Sequence, residues 1–373
     1  MFKYKLLVLK MLDKLFVIGL FFLKFLPTKR KIINLPESIG IIKLSAMGDI
    51  ISLLPSIREL KKIFPDAKIT WITTNRVPIE LFRNCKLIDD IVVLRLRFGV
   101  FFKILNLAFN KVSICFDFDQ YYRISEILSF LISGGKSVGF STKLKGKTFL
   151  VSVDYDNKLN EKIMFSKLVE KTYGKNVEIE SRVPELLSYY TPPNKVKIFL
   201  RSYKNKRIFV YAGSSYNAIY RRWALENYLK LADIIKDYFP KFEIIFVGGA
   251  NELGIKKKLN DDYTEIINEF TLKDMLYIFT KGELFIGNDA GLLHLAEAAG
   301  LKSVSIFGPN LYSKWGSLLT RSKGVEISIS CRPCIKQYQG EVPTKCKKGD
   351  VKCLKDISID LVFNEVKEVL TNN

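Results

Sequence analysis

Asp49 is the residue whose surroundings most clearly offer chemistry. It closes Ser45-Ala46-Met47-Gly48-Asp49, a small polar turn that follows an apolar run at 39–44. After it come Ile50, Leu53, Leu54, Ile57 and Leu60, spaced as on one face of a helix. A turn between strand and helix gathers backbone N–H groups at the carboxyl edge of a parallel sheet, where open α/β folds bind ligands. A carboxylate there is a candidate general base; the alternative is an Asp that only caps its helix.

Three further apolar runs end in glycine-containing loops: Gly213-Ser214-Ser215, Gly248-Gly249-Ala250 and Gly287-Asn288-Asp289-Ala290-Gly291. Such loops at successive strand ends point to one ligand crevice. Asp289 or Asn288 can cap the helix that begins near Ala290, and Gly291 lets a phosphate approach its N-terminus. Arg221 and Arg222 follow the first loop, and forked, permanently charged guanidinium groups suit a pyrophosphate. The alternative is a solvated basic patch, but cations before a helix gain nothing from its dipole. His294, one turn into the last helix, either hydrogen-bonds phosphate or holds the loop.

Cys331, Cys334, Cys346 and Cys353 form a C-x2-C-x11-C-x6-C set in a segment rich in Lys, Gly and Pro. Four thiolates can close a structural Zn or Fe site; disulfides and free thiols are the alternatives. Cys85 and Cys115 read as small apolar residues. His294 is the one histidine, so no His-cluster metal site exists. No G-x-G-x-x-G follows a strand, which argues against a dinucleotide oxidoreductase, and the absence of G-x-x-x-x-G-K-[ST] excludes a P-loop NTPase.

The elements that must position these residues alternate as in an α/β fold. In the first half the pattern predicts strands at 39–44, 68–73, 90–94, 112–116 and 137–138, with helices at 51–64, 124–131 and 160–173. Thr191-Pro192-Pro193-Asn194 reads as a linker. Beyond it come strands at 207–212, 242–247, 284–286 and 303–307 and helices at 223–239, 272–280 and 290–299, the last closed by Gly300. The expected architecture is two Rossmann-like lobes facing a cleft. They span 32–190 and 191–357, and a final helix within 358–373 is expected to fold back on the first lobe.

The chain of 373 residues is 48% hydrophobic, which excludes wholesale disorder. Its formal net charge of +21 points to an anionic partner such as nucleic acid, phosphorylated lipid or a sugar nucleotide, or to a lysine-rich compositional bias. Residues 1–31 hold Lys3, Lys5, Lys10, Lys14, Lys24, Lys29, Arg30 and Lys31 against Asp13 alone. The longest uncharged stretch, 15–23, falls short of the roughly 20 residues that span a bilayer. Lys3, Lys10, Asp13, Lys14 and Lys24 share one helical side, as in an interfacial amphipathic helix on an anionic membrane surface. A helix packed on the protein's own surface is the alternative. A signal peptide is disfavoured, because charges interrupt the apolar run and no small-residue cleavage site follows.

Taken in order, the motifs resemble those of glycosyltransferase family 9, the ADP-heptose:lipopolysaccharide heptosyltransferases. The matching pieces are Lys43-Leu-Ser-Ala-Met-Gly-Asp49 with Leu54-Pro55, Phe64-Pro-Asp-Ala67 and Ala212-Gly213-Ser214 with Arg222-Trp223. Gly248-Gly249 with Glu252, Gly287-Asn-Asp-Ala-Gly-Leu-Leu-His294, Phe307-Gly308-Pro309 and the cysteine segment continue the match, over about 39–357.

The resemblance implies a GT-B fold, an acceptor-binding first lobe, a sugar-nucleotide second lobe, and inverting transfer without a catalytic metal. Asp49 would deprotonate the acceptor hydroxyl. Lys43, Gly48, Ser214, Arg221, Arg222, Asp289, Ala290, Gly291 and His294 would bind donor or diphosphate. Glu252 would reach the ribose or base, and Arg123 would face an acidic acceptor sugar. ADP-heptose and a lipid-linked acidic saccharide would be the substrates, with the enzyme peripheral on the cytoplasmic face of the inner membrane of a Gram-negative bacterium. Ala290 stands where the family usually has Thr, and Asp117-Phe-Asp-Gln-Tyr-Tyr is atypical on the acceptor side. Some relatives modify proteins, and cysteine-bound metal belongs to that branch. A transferase using another nucleotide sugar or a protein acceptor is thus the alternative. A basic nucleic-acid-binding protein with a four-cysteine metal site is a distant one. Its paired C-x2-C knuckles are missing and it leaves the glycine loops unexplained, so no nucleic-acid partner is expected.

Overall fold

The computed structural model describes residues 31–44, 46–74, 77–94, 100–202, 205–259 and 263–371. The basic amphipathic helix expected at 1–31 lies outside these apart from Lys31. The chain divides into two compact units: one of residues up to Ala46, Leu53–Ile179 and Gln337–Gly340, the other of Met47–Ser52, Glu180–Lys336 and Glu341 onward.

In the first unit the elements are β1 (Ser38–Ile42), β2 (Lys68–Thr73), β3 (Asp90–Val93), β4 (Ile114–Asp117), β5 (Ser137–Ser141) and β6 (Val151–Asp154). Between β1 and β2 lie α1 (Met47–Ser52), which belongs to the second unit, and α2 (Leu54–Ile63). Helices α3 (Val77–Phe82), α4 (Val100–Phe109), α5 (Arg123–Ser133) and α6 (Glu161–Tyr173) complete the unit. The sheet is wholly parallel, in the order β3-β2-β1-β4-β5-β6. Central β1 is buried over Ile39–Ile42, as a strand covered on both faces must be.

The second unit repeats the plan. It holds α7 (Asn194–Ser202), β7 (Lys206–Tyr211), α8 (Leu225–Tyr238), β8 (Phe242–Gly248), α9 (Leu253–Lys256), β9 (Thr264–Ile267), α10 (Leu272–Phe279) and β10 (Leu284–Asn288). Then come α11 (Gly291–Ala298), β11 (Ser303–Ile306), α12 (Tyr312–Trp315), β12 (Lys323–Val325), α13 (Lys352–Lys355) and α14 (Ile359–Thr371). Its parallel sheet runs β12-β11-β10-β7-β8-β9.

Three expectations are corrected. The helix expected at 51–64 is two helices that part at Leu53, where Pro55 enters the first turn of α2 and supplies no N–H. Asn194 begins α7 instead of extending a linker, because Val196 and Phe199 give that segment a face to bury. The final helix packs on the second unit, not the first: Val362, Val366 and Val369 join Val304, Ile306 and Val325 in the second unit's core.

Candidate active site

In an open parallel sheet, loops diverge where the strand order reverses, and ligands bind at the carboxyl ends there. In the second unit that point lies between β7 and β10. Ser214 follows β7 and Asp289 follows β10, while Glu252 follows the adjacent β8.

The site's charges answer one another. Arg222 donates from Nε to Ser214 Oγ at 3.0 Å and lies 3.4 Å from Glu252 Oε1 through Nη2. Glu252 Oε2 accepts the Gly249 N–H at 3.0 Å, and Tyr211 Oη reaches Oε1 at 3.5 Å. Burial raises the Glu252 pKa above its ordinary value, against the opposing pull of the Gly249 N–H and Arg222. Asp289 Oδ2 accepts from Asn310 Nδ2 at 2.9 Å and stands 3.7 Å from Arg221 Nη1. Two guanidinium groups are thus held at neighbouring strand ends, each against a carboxylate.

Gly213 and Gly248 are explained by Glu252. A Cβ on Gly213 would lie 2.5 Å from Glu252 Cγ, and one on Gly248 would lie 2.7 Å from Glu252 Cβ. Ala290 precedes α11 in extended conformation and gives it no side-chain cap. Tyr211 and Asn310 escaped the sequence reading, and neither Asn288 nor Asp289, expected as helix caps, caps α11. Asn288 is fully buried, accepts the Trp223 N–H at 2.9 Å and donates to Gly213 O at 3.0 Å, so it laces two loops to the end of β10. A polar side chain ending an apolar strand was the available signal for that role.

Asp49 is buried on α1, and α1 packs on α11 within this unit. Gly48 lies beneath the His294 ring, where a Cβ would come within 2.6 Å of Cδ2.

Lys43 and Arg123 belong to the first unit. Lys43 is buried; its Nζ donates to Gln120 Oε1 at 2.7 Å and lies 3.5 Å from Asp119 Oδ1. Gln120 in turn donates to Glu161. Arg123 opens α5 and donates from Nε to Leu144 O at 3.0 Å. Beside them Lys145 Nζ meets Asp117 Oδ2 at 2.5 Å; both are buried, and burial pushes the Asp117 pKa up to about 6 despite that lysine.

Cys331, Cys334, Cys346 and Cys353 line one pocket of about 400 Å³. Among the described residues no three His, Cys, Asp or Glu side chains stand in an arrangement that could hold a metal ion. Burial opposes the Cys346 thiolate, but the backbone N–H groups of Val351, Lys348 and Gly349 outweigh it and its pKa falls below the ordinary value. Burial raises Cys353 to about 11.

Two Rossmann-like parallel sheets in one chain, the second with paired arginines at its switch point, make the α/β architecture of a GT-B fold. Residues 125–344 match glycosyltransferase family 9 (heptosyltransferase), and the chain belongs to that family. It is 24% identical over 344 residues to lipooligosaccharide heptosyltransferase 2 of Campylobacter jejuni, covering 88% of this chain and 96% of the relative. Among solved structures it resembles a family 9 glycosyltransferase from Veillonella parvula, with TM-score 0.71 and 18% identity over 91% of this chain and 99% of that one. It also resembles the E. coli ADP-heptose lipopolysaccharide heptosyltransferase II, with TM-score 0.64 and 15% identity over 90% and 99%. A third likeness is to the iron-containing dodecameric glycosyltransferase TibC of E. coli, with TM-score 0.57 and 11% identity over 91% and 77%. The chain is therefore a transferase enzyme of the heptosyltransferase family.

Proposed function

We propose that the enzyme moves heptose from ADP-heptose to an acidic inner-core saccharide of lipopolysaccharide, with inversion at the anomeric carbon. The observation that carries this reading is the convergence of Ser214, Arg222, Glu252 and Asp289 at the strand ends around the β7/β10 switch point. The names of the similar heptosyltransferases support the donor and the acceptor class.

In this reading Asp49 takes the proton of the acceptor hydroxyl as the oxygen attacks the anomeric carbon. The bond from that carbon to the diphosphate breaks, and ADP leaves with the electron pair. Arg221, Arg222 and the uncapped N-terminus of α11 at Ala290 and Gly291 meet the charge that develops on the diphosphate. Ser214 fixes the Arg222 fork, and Glu252 is placed to accept from ribose hydroxyls. Arg123 faces the acceptor's acid group. Lys43, expected to bind donor or diphosphate, is buried and instead holds Asp119 and Gln120 at the carboxyl ends of central β1 and β4.

The four-cysteine segment is proposed to hold a structural Zn or Fe ion. Four thiols lining one pocket are the chemical donor set that such an ion takes, although no three of these side chains stand in an arrangement to hold one, so loading would have to draw the thiols together. The iron of TibC supports iron as one of the two.

A thermal-shift screen against ADP-, GDP- and UDP-sugars tests the donor. Stabilisation by ADP-heptose and ADP is expected; a shift with UDP-sugars alone contradicts the assignment.

A further inference from the structure

We propose that His294 is the positioning residue for Asp49, and that α1 and α11 form one reciprocal joint which holds the base on the unit that binds the donor. The inference rests on the reading of Asp49 as general base.

The joint is built from two glycines and the two side chains that lie over them. His294 of α11 sits on Gly48 of α1, and Met47 of α1 sits on Gly291 of α11, where a Cβ would lie 2.9 Å from Met47 Cγ. Each helix thus gives up a Cβ to admit a side chain of the other. The imidazole is enclosed on further sides. Ser52 Oγ is 3.4 Å from Nδ1, Glu297 Oε2 is 4.0 Å from the same atom, and the Trp315 ring meets it edge-on at 6.3 Å between centroids.

His294 is 4% exposed. A ring so enclosed supports its neighbours and has little surface for a ligand. Glu297 is itself fixed, since its Oε1 accepts the Leu318 N–H at 2.8 Å. Asp49 follows Gly48 directly, so displacing α1 by the width of a methyl group displaces the carboxylate with it. A misplacement of about 1 Å at a reacting group costs on the order of 100-fold in rate.

Gly48→Ala, His294→Ala, the double variant, Ser52→Ala and Asp49→Asn would be compared for kcat, donor KM and ADP affinity. Gly48→Ala and His294→Ala are each expected to lower kcat at least about tenfold with ADP affinity within about twofold of wild type. The double variant should be no worse than His294→Ala alone, because the added methyl then has no ring to strike. Ser52→Ala should give a smaller kcat loss in the same direction. If His294→Ala raises the ADP Kd and leaves kcat intact, the ring is a phosphate ligand and the inference falls. Additive losses in the double variant overturn it as well. Should His294→Ala fail to bind ADP because it is unfolded, unchanged kcat in Gly48→Ala and Ser52→Ala would still overturn the joint. Full turnover in Asp49→Asn would instead refute the base reading. An inactive Asp49→Asn beside unaffected Gly48→Ala and His294→Ala refutes the joint alone.

Discussion

Gly213 and Gly248 border the Glu252 side chain so closely that neither can carry a methyl group without moving it. Gly213→Ala is expected to cost roughly 1–3 kcal/mol, the usual cost of overfilling a packed site. It should also weaken ADP binding, since Glu252 is shifted against Arg222; urea unfolding and ADP titration measure the two effects. Asp117 makes a separate prediction. Its folded pKa of about 6 lies above the ordinary 3.8, so its contribution to stability is fully present below about pH 4 and is lost as pH rises through about 6. The difference in unfolding free energy between wild type and Asp117→Asn should therefore fall from pH 4 to pH 6.5 and then level off. A flat difference across that range would refute the raised pKa. At this scale the sequence offered Arg222 and Asp289 as charged residues in the segments that follow β7 and β10, but not their pairing with Glu252 and Arg221. It did not reveal why Gly213 and Gly248 are glycines, because the answer is a side chain on another loop. Nor did it reveal that Lys43 is buried against Asp119 and Gln120, some 75 residues further on in the chain.

Strand positions were largely readable from apolar runs: 68–73 coincides with β2, and 242–247 differs from β8 by one residue. Periodicity is blind to a break that keeps the apolar face in phase, so the parting of α1 from α2 at Leu53 was not visible. Their apolar residues continue the same pattern while the two helices serve different units. The destination of α14 was hidden for a related reason. Val362, Val366 and Val369 announce a buried face but not the surface that buries it. Val366→Ala should cost about 2 kcal/mol, from lost methyl burial and the cavity left behind. It should lower the stability of the second unit and leave the first unit's amides protected in hydrogen exchange. Equal loss of protection in β1 and β10 would contradict that assignment.

Over the whole molecule the charge balance of +21 and the basic stretch at 1–31 support contact with an anionic surface. Removing residues 1–31 should reduce cosedimentation with phosphatidylglycerol vesicles, and raised salt should do the same to the full chain. Among the described residues no helix is long and apolar enough to cross a membrane. Elemental analysis of the purified protein tests the four-cysteine segment. About one Zn or Fe per chain is expected, and it should be lost when Cys334 and Cys346 are both replaced by Ser. The most direct test of the account is ADP release from ADP-heptose with an inner-core lipopolysaccharide acceptor, wild type against Asp49→Asn. Acceptor-dependent ADP release is expected from the wild type and should fall about 100- to 10,000-fold in Asp49→Asn, with ADP affinity retained. Turnover by Asp49→Asn close to wild type, or no acceptor-dependent release from the wild type, would contradict the proposed reaction.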